Sequence, residues 1–135
     1  MTNTFGTKAR LRSFRVWPAL LDAALILVVG SLPEAPPGAE KVSDKTLHAI
    51  AFGIFAWLAS RAVRFLRPEG SPAGALLAGL AASVGLGGGL ELWQMLLPYR
   101  KAEWLDFVAD AVGALLAVAL TGVVWRVGRA RVPLP

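Results

Sequence analysis

Four apolar segments, each about the length of a bilayer-crossing helix and separated by proline-bearing breaks, constrain this chain more than any other feature. They cover about 14–32, 46–66, 72–97 and 105–127. A helix needs roughly 20 mostly apolar residues to cross the hydrocarbon core. The breaks are Leu32-Pro33-Glu34-Ala35-Pro36-Pro37-Gly38, Arg67-Pro68-Glu69-Gly70-Ser71-Pro72 and Pro98-Tyr99-Arg100-Lys101. Proline lacks the amide donor and clashes with the preceding turn, so none of these stretches is helix interior. Hydrophobic residues make up 56% of the chain, and its few charged residues come in clumps between the apolar runs. A soluble domain is excluded. The expected fold is an all-α membrane protein, a four-transmembrane-helix bundle forming one domain over 14–127, with tails at 1–13 and 128–135.

Orientation follows from the basic residues. Lys8, Arg10, Arg12 and Arg15 precede the first segment, Arg61, Arg64 and Arg67 surround the second break, and Arg126, Arg129 and Arg131 end the chain. The other two loops carry only Lys41 and Lys45, and Arg100 and Lys101. The positive-inside rule then predicts both termini and the middle loop on the cytoplasmic side. The net charge of +5 is explained by this topology and calls for no nucleic-acid partner. The first segment is expected to be a span and not a cleaved leader, because Asp22 interrupts it and no Ala-x-Ala site follows.

Polar residues of the second half fall in two clusters, both predicted on the extracytoplasmic side. The first holds Ser43, Asp44, Lys45 and His48; the second runs from Glu91 and Gln94 through Arg100 to Asp106 and Asp110. Asp44 and His48 lie one helical turn apart, which permits either a capped helix start with a histidine held by Asp44, or an imidazole oriented to move a proton. Glu91, with Gln94 on the same face, sits inside an apolar helix, where a carboxylate must pair, be protonated or border a polar cavity. Hydrogen bonding between helices is the structural alternative. Arg100 can pair with Glu103 or Asp106, or present its planar fork to a phosphate. Asp106 suits a helix start, whereas Asp110 lies deeper. Asp44, His48, Glu91, Asp106 and Asp110 could also supply ligands to a divalent cation, although the pattern is unspecific and no cofactor is required. With no cysteine and one histidine, thiolate and multi-histidine sites are excluded within one chain. The third segment is rich in glycine. Gly85 and Gly89 have the spacing of a close-packing face, and the helix is expected to be central or partly unwound at Gly87-Gly88-Gly89.

Taken together, Asp44-Lys45-x-x-His48 with Phe52, Glu91-x-x-Gln94-x-x-x-Pro98-x-Arg100, and Asp106-x-x-Ala109-Asp110-x-x-Gly113 resemble the signature of the VanZ-like family. The resemblance covers about 43–115. One position departs from it: the family usually has asparagine where this chain has Asp110. The resemblance implies a small multi-pass protein of the bacterial inner membrane. The name-giving member is associated with resistance to teicoplanin, a glycopeptide antibiotic acting on cell-wall precursors.

Three functions follow as expectations. The first is binding or assisted handling of an envelope lipid or cell-wall precursor at the polar site, with Lys45 and Arg100 on a phosphate-bearing head group and Glu91, Gln94, Asp106 and Asp110 shaping the cavity. The second is a membrane-embedded enzyme with His48 and Glu91 as acid and base; it has less support, because no nucleophile is evident. The third is a small structural subunit of a homo-oligomer or larger membrane complex, its polar cluster locking the helices together.

Overall fold

The proline-bearing breaks separate four helices. A computed structural model describes residues 15–34, 37, 38 and 41–130, and the predicted tails fall almost wholly outside them. Helix α1 spans Trp17–Gly30, α2 Asp44–Leu66, α3 Pro72–Gln94 and α4 Trp104–Ala130, with no strand among the described residues. Prolines occupy the first turns of α1 and α3, where the missing amide costs nothing. Ser71 caps α3 by accepting the Gly74 amide at 2.9 Å. Ser43 stands at the N-cap of α2 but makes no side-chain capping bond. Helix α3 ends at Gln94, earlier than expected, because 95–99 turns ahead of the third break.

Helices α2, α3 and α4 are long and apolar enough to cross a membrane. The described part of α1 has 14 residues, which is about 21 Å of helix at 1.5 Å per residue. That is less than the roughly 30 Å hydrocarbon core.

Helices α2 and α4 run parallel and very close. A Cβ on Gly113 of α4 would collide with the Ala49 carbonyl oxygen of α2, and one on Gly53 would lie 3.1 Å from the Gly113 carbonyl oxygen. Helix α3 runs antiparallel against both. Its buried face is the four-residue series Ala75, Gly79, Ser83 and Gly87, which ends on Glu91. A Cβ on Gly79 would meet the Ser60 hydroxyl and would lie 2.7 Å from the Ala56 carbonyl oxygen. Ser83 donates to the Phe52 carbonyl at 2.9 Å, a hydroxyl bond between helices of the kind that small-residue faces permit.

Two expectations about α3 are corrected here. Gly85 and Gly89 face open space, so the close-packing stripe is the one through Gly79 and Gly87. The helix is continuous through Gly87-Gly88-Gly89. Helix α3 packs on α2 and α4 and meets α1, in keeping with a central place, and α2 is more extensively packed still. Phe52, Phe55, Ala59 and Leu90 form the core, joined by Ala19 and Ile26 of α1.

Candidate functional site

Because α2 and α4 are parallel and α3 antiparallel to them, both polar clusters reach the same end of the bundle. The N-terminal turns of α2 and α4 and the last turn of α3 meet there. Two rungs join α2 to α4. Lys45 Nζ pairs with Asp106 Oδ1 at 2.7 Å and with Glu103 Oε2 at 3.2 Å. One turn deeper, His48 Nδ1 meets Asp110 Oδ1 at 2.8 Å. With Asp110 ionised, the carboxylate only accepts, so Nδ1 is then the donor and Nε2 is left for a different partner. His48 Nε2 stands 3.9 Å from Asp106 Oδ2, too far for a hydrogen bond. The imidazole also stacks on Phe52, with ring centroids 6.2 Å apart and planes 6° off parallel.

The histidine is therefore held by Asp110 across helices, not by Asp44 within its own helix. Asp44 is exposed, and its carboxylate lies with His48 and Asp106 in a group whose ligand atoms are all within 4.8 Å of one another. Asp110 is only 1% exposed. Its Oδ2 has no hydrogen-bond partner among the described residues and lies where α3 carries a glycine: a Cβ on Gly87 would be 2.9 Å from it. The missing side chain on α3 makes the room that the carboxylate occupies.

Glu91 and Gln94 are both buried, on the face predicted, but they serve different neighbours. Glu91 Oε2 accepts the Glu103 amide at 2.9 Å and so ties α3 to the approach to α4, while Oε1 has no hydrogen-bond partner among the described residues. Gln94 donates to the Gly30 carbonyl at 2.9 Å. Trp93 donates to the Ser31 hydroxyl at 2.9 Å and Tyr99 to the Ser31 carbonyl at 3.2 Å. These bonds hold the carbonyl end of α1, which an isolated helix leaves unpaired. Arg100 is half-buried, its Nε is buried without a partner, and it enters no ion pair among the described residues. Glu103 and Asp106, the pairing candidates for Arg100, are taken by Lys45 instead.

Sequence reasoning placed Asp44, Lys45, His48, Glu91, Gln94, Arg100, Asp106 and Asp110 at one end, and all eight lie there. It undervalued Glu103, which contacts both Lys45 and Glu91, and missed Gly30, Ser31 and Gly87. Gly87 could have been found from its four-residue spacing to Glu91. Asp22 stands apart on α1, half-buried, with one carboxylate oxygen unpartnered.

In chemical terms, this end offers a carboxylate-oriented imidazole, a half-buried guanidinium without an ion pair among the described residues, and more carboxylates than cations. No curated protein and no solved structure matches the chain. The VanZ/LLP1 family model matches residues 2–125, nearly the whole length, and spans all three segments of the motif on which the polar end is built. By that match, the chain belongs to the VanZ/LLP1 family.

Proposed function

We propose that this protein is a four-span protein of the bacterial inner membrane that binds the anionic head group of an envelope lipid or lipid-linked cell-wall precursor at its polar, extracytoplasmic end. Arg100 carries this reading. It is a half-buried guanidinium with an unpartnered Nε at the mouth of a polar cluster, free of ion pairs among the described residues. A planar guanidinium suits bidentate recognition of phosphate. Lys45 has a supporting part, since its ammonium is held by Glu103 and Asp106. The orientation is supported by Arg15 and Arg61, which stack on Phe65 and Trp57 at the opposite end of the bundle. The fourth span in this reading is α1, whose described helix has 14 residues. Teicoplanin resistance is one physiological setting in which such binding would act.

Binding of a polyprenyl phosphate to the purified protein in lipid nanodiscs tests the reading. Arg100→Ala should weaken binding about tenfold or more, the usual worth of a charged hydrogen bond of roughly 1.5–3 kcal/mol. The uncharged polyprenol should bind no better to the wild type than to the variant. Equal affinity of Arg100→Ala and wild type for the phosphate would refute it.

The 2.8 Å contact between His48 and Asp110 favours a second reading, acid–base chemistry at a lipid head group. His48 would transfer the proton through Nε2, and Asp110 would orient the ring. Glu91 is then a structural acceptor for the Glu103 amide. Head-group turnover that survives His48→Ala would eliminate this reading.

A further inference from the structure

We propose that Asp44, Asp106 and the Nε2 of His48 form a divalent-cation site at the polar end of the bundle. Their ligand atoms lie within 4.8 Å of one another, drawn from the first turns of two parallel helices. The 3.9 Å between His48 Nε2 and Asp106 Oδ2 is too long for a hydrogen bond. It suits two donors sharing one ion through bonds of about 2.0–2.2 Å.

The ring is prepared for that role. Asp110 Oδ1 lies 2.8 Å from Nδ1, so a neutral imidazole that donates from Nδ1 to this carboxylate turns its Nε2 lone pair towards Asp106. Metal-binding histidines are commonly oriented by a carboxylate on the far nitrogen in this way. Phe52 fixes the ring plane from below.

Two further carboxylates lie beside the site. Among the described residues Asp110 Oδ2, which faces Gly87, and Glu91 Oε1 are buried without a hydrogen-bond partner. Glu91 is within electrostatic reach of His48, Asp106 and Asp110. Among the described residues Lys45 engages Glu103 and the Oδ1 of Asp106, and no lysine or arginine forms an ion pair with Asp44 or Asp106 Oδ2. Carboxylates at this depth pair, take up a proton or border a polar cavity, and a cation at Asp44, Asp106 and His48 would lower the negative charge of the whole group. One imidazole with two carboxylates favours Mn²⁺ or Zn²⁺ over Mg²⁺ or Ca²⁺. The site stands independently of head-group binding and needs no lipid to fill it.

The test uses the full chain in detergent, stripped with a chelator and titrated with Mn²⁺ followed by electron paramagnetic resonance, with Zn²⁺ as competitor. A single saturable site is expected. Asp110→Asn, which leaves the ligands in place but weakens their support, should reduce affinity about 10–100-fold. Asp44→Asn should reduce it by about tenfold or more, as loss of a direct ligand does at least what loss of its support does. His48→Ala should abolish binding. Asp44 is exposed, so its variant tests the site even where His48→Ala fails to fold. No saturable binding at millimolar Mn²⁺ or Zn²⁺, or unchanged affinity in Asp44→Asn, would overturn the proposal.

Discussion

Two glycines two residues apart on α3 make a controlled comparison of what the packing around Asp110 is worth. A Cβ on Gly87 would lie 2.9 Å from Asp110 Oδ2, 3.4 Å from Asp110 Cβ and 3.4 Å from Phe52 Cε1. Asp110 is fixed at its other oxygen by His48, and Phe52 is fully buried, so neither can swing aside cheaply. Gly87→Ala should therefore cost about 1–3 kcal/mol through overpacking. A Cβ on Gly85 meets nothing within 4 Å. Gly85→Ala should be neutral, or stabilise by up to about 1 kcal/mol through helix propensity. The two variants should thus differ by roughly 2 kcal/mol, with the sign set by packing. Denaturant unfolding in mixed micelles, followed by circular dichroism, measures the difference. Removing the obstructing carboxylate adds a second arm. In an Asp110→Ala background the new methyl enters the vacated space, so Gly87→Ala should lose most of its cost, a coupling of about 1 kcal/mol or more. Equal stabilities for the two single variants, or additive costs in the double variant, would show that Gly87 does not accommodate Asp110.

Three further outcomes follow from the same geometry. His48→Ala should destabilise by about 3–5 kcal/mol if Asp110 stays ionised, because it strands a buried charge; the His48→Ala/Asp110→Ala double variant should cost clearly less than the sum of the singles in the same unfolding assay. Gln94→Ala should lower stability by about 1 kcal/mol through loss of the bond to the Gly30 carbonyl, and faster amide exchange at the end of α1 than in α3, read by mass spectrometry, would locate the effect. The chain has no native cysteine, which suits labelling in intact cells: Tyr99→Cys should react with an impermeant maleimide from outside and Glu69→Cys only after permeabilisation, and the opposite pattern would reverse the proposed orientation.

Much of this was legible in the sequence, for identifiable reasons. Proline at 33, 36, 37, 68, 72 and 98 marks where helix must stop, and the apolar runs between need no partner to be recognised. That the two polar clusters meet follows from alternating helix direction alone. Which residues touch did not follow. Spacing by four states that Asp44 and His48 share a face, but not that Asp110, 62 residues away, approaches that face more closely than Asp44 does. That contact exists because Gly113 lets α4 settle against the Ala49 carbonyl, a fact about two helices at once. Likewise the glycine pair four apart in the third segment is Gly85 and Gly89, yet the positions of α2 and α4 select Gly79 and Gly87, eight apart, as the packed ones. Lys45 and Arg100 looked equivalent as cations. The approach of Glu103, set by the loop before α4, separates them.

The attachment of α1 has a mechanical consequence. Its helix packs sparingly along its length, yet its final turn is gripped by Trp93, Gln94 and Tyr99, all from the stretch that also carries Glu91 and Arg100. A ligand that displaced this stretch would drag the end of α1 with it while meeting little resistance from the remainder of that helix. Helix α1 is thus tied by side-chain hydrogen bonds at the polar end, so the position of its last turn depends on the same stretch that carries Glu91 and Arg100.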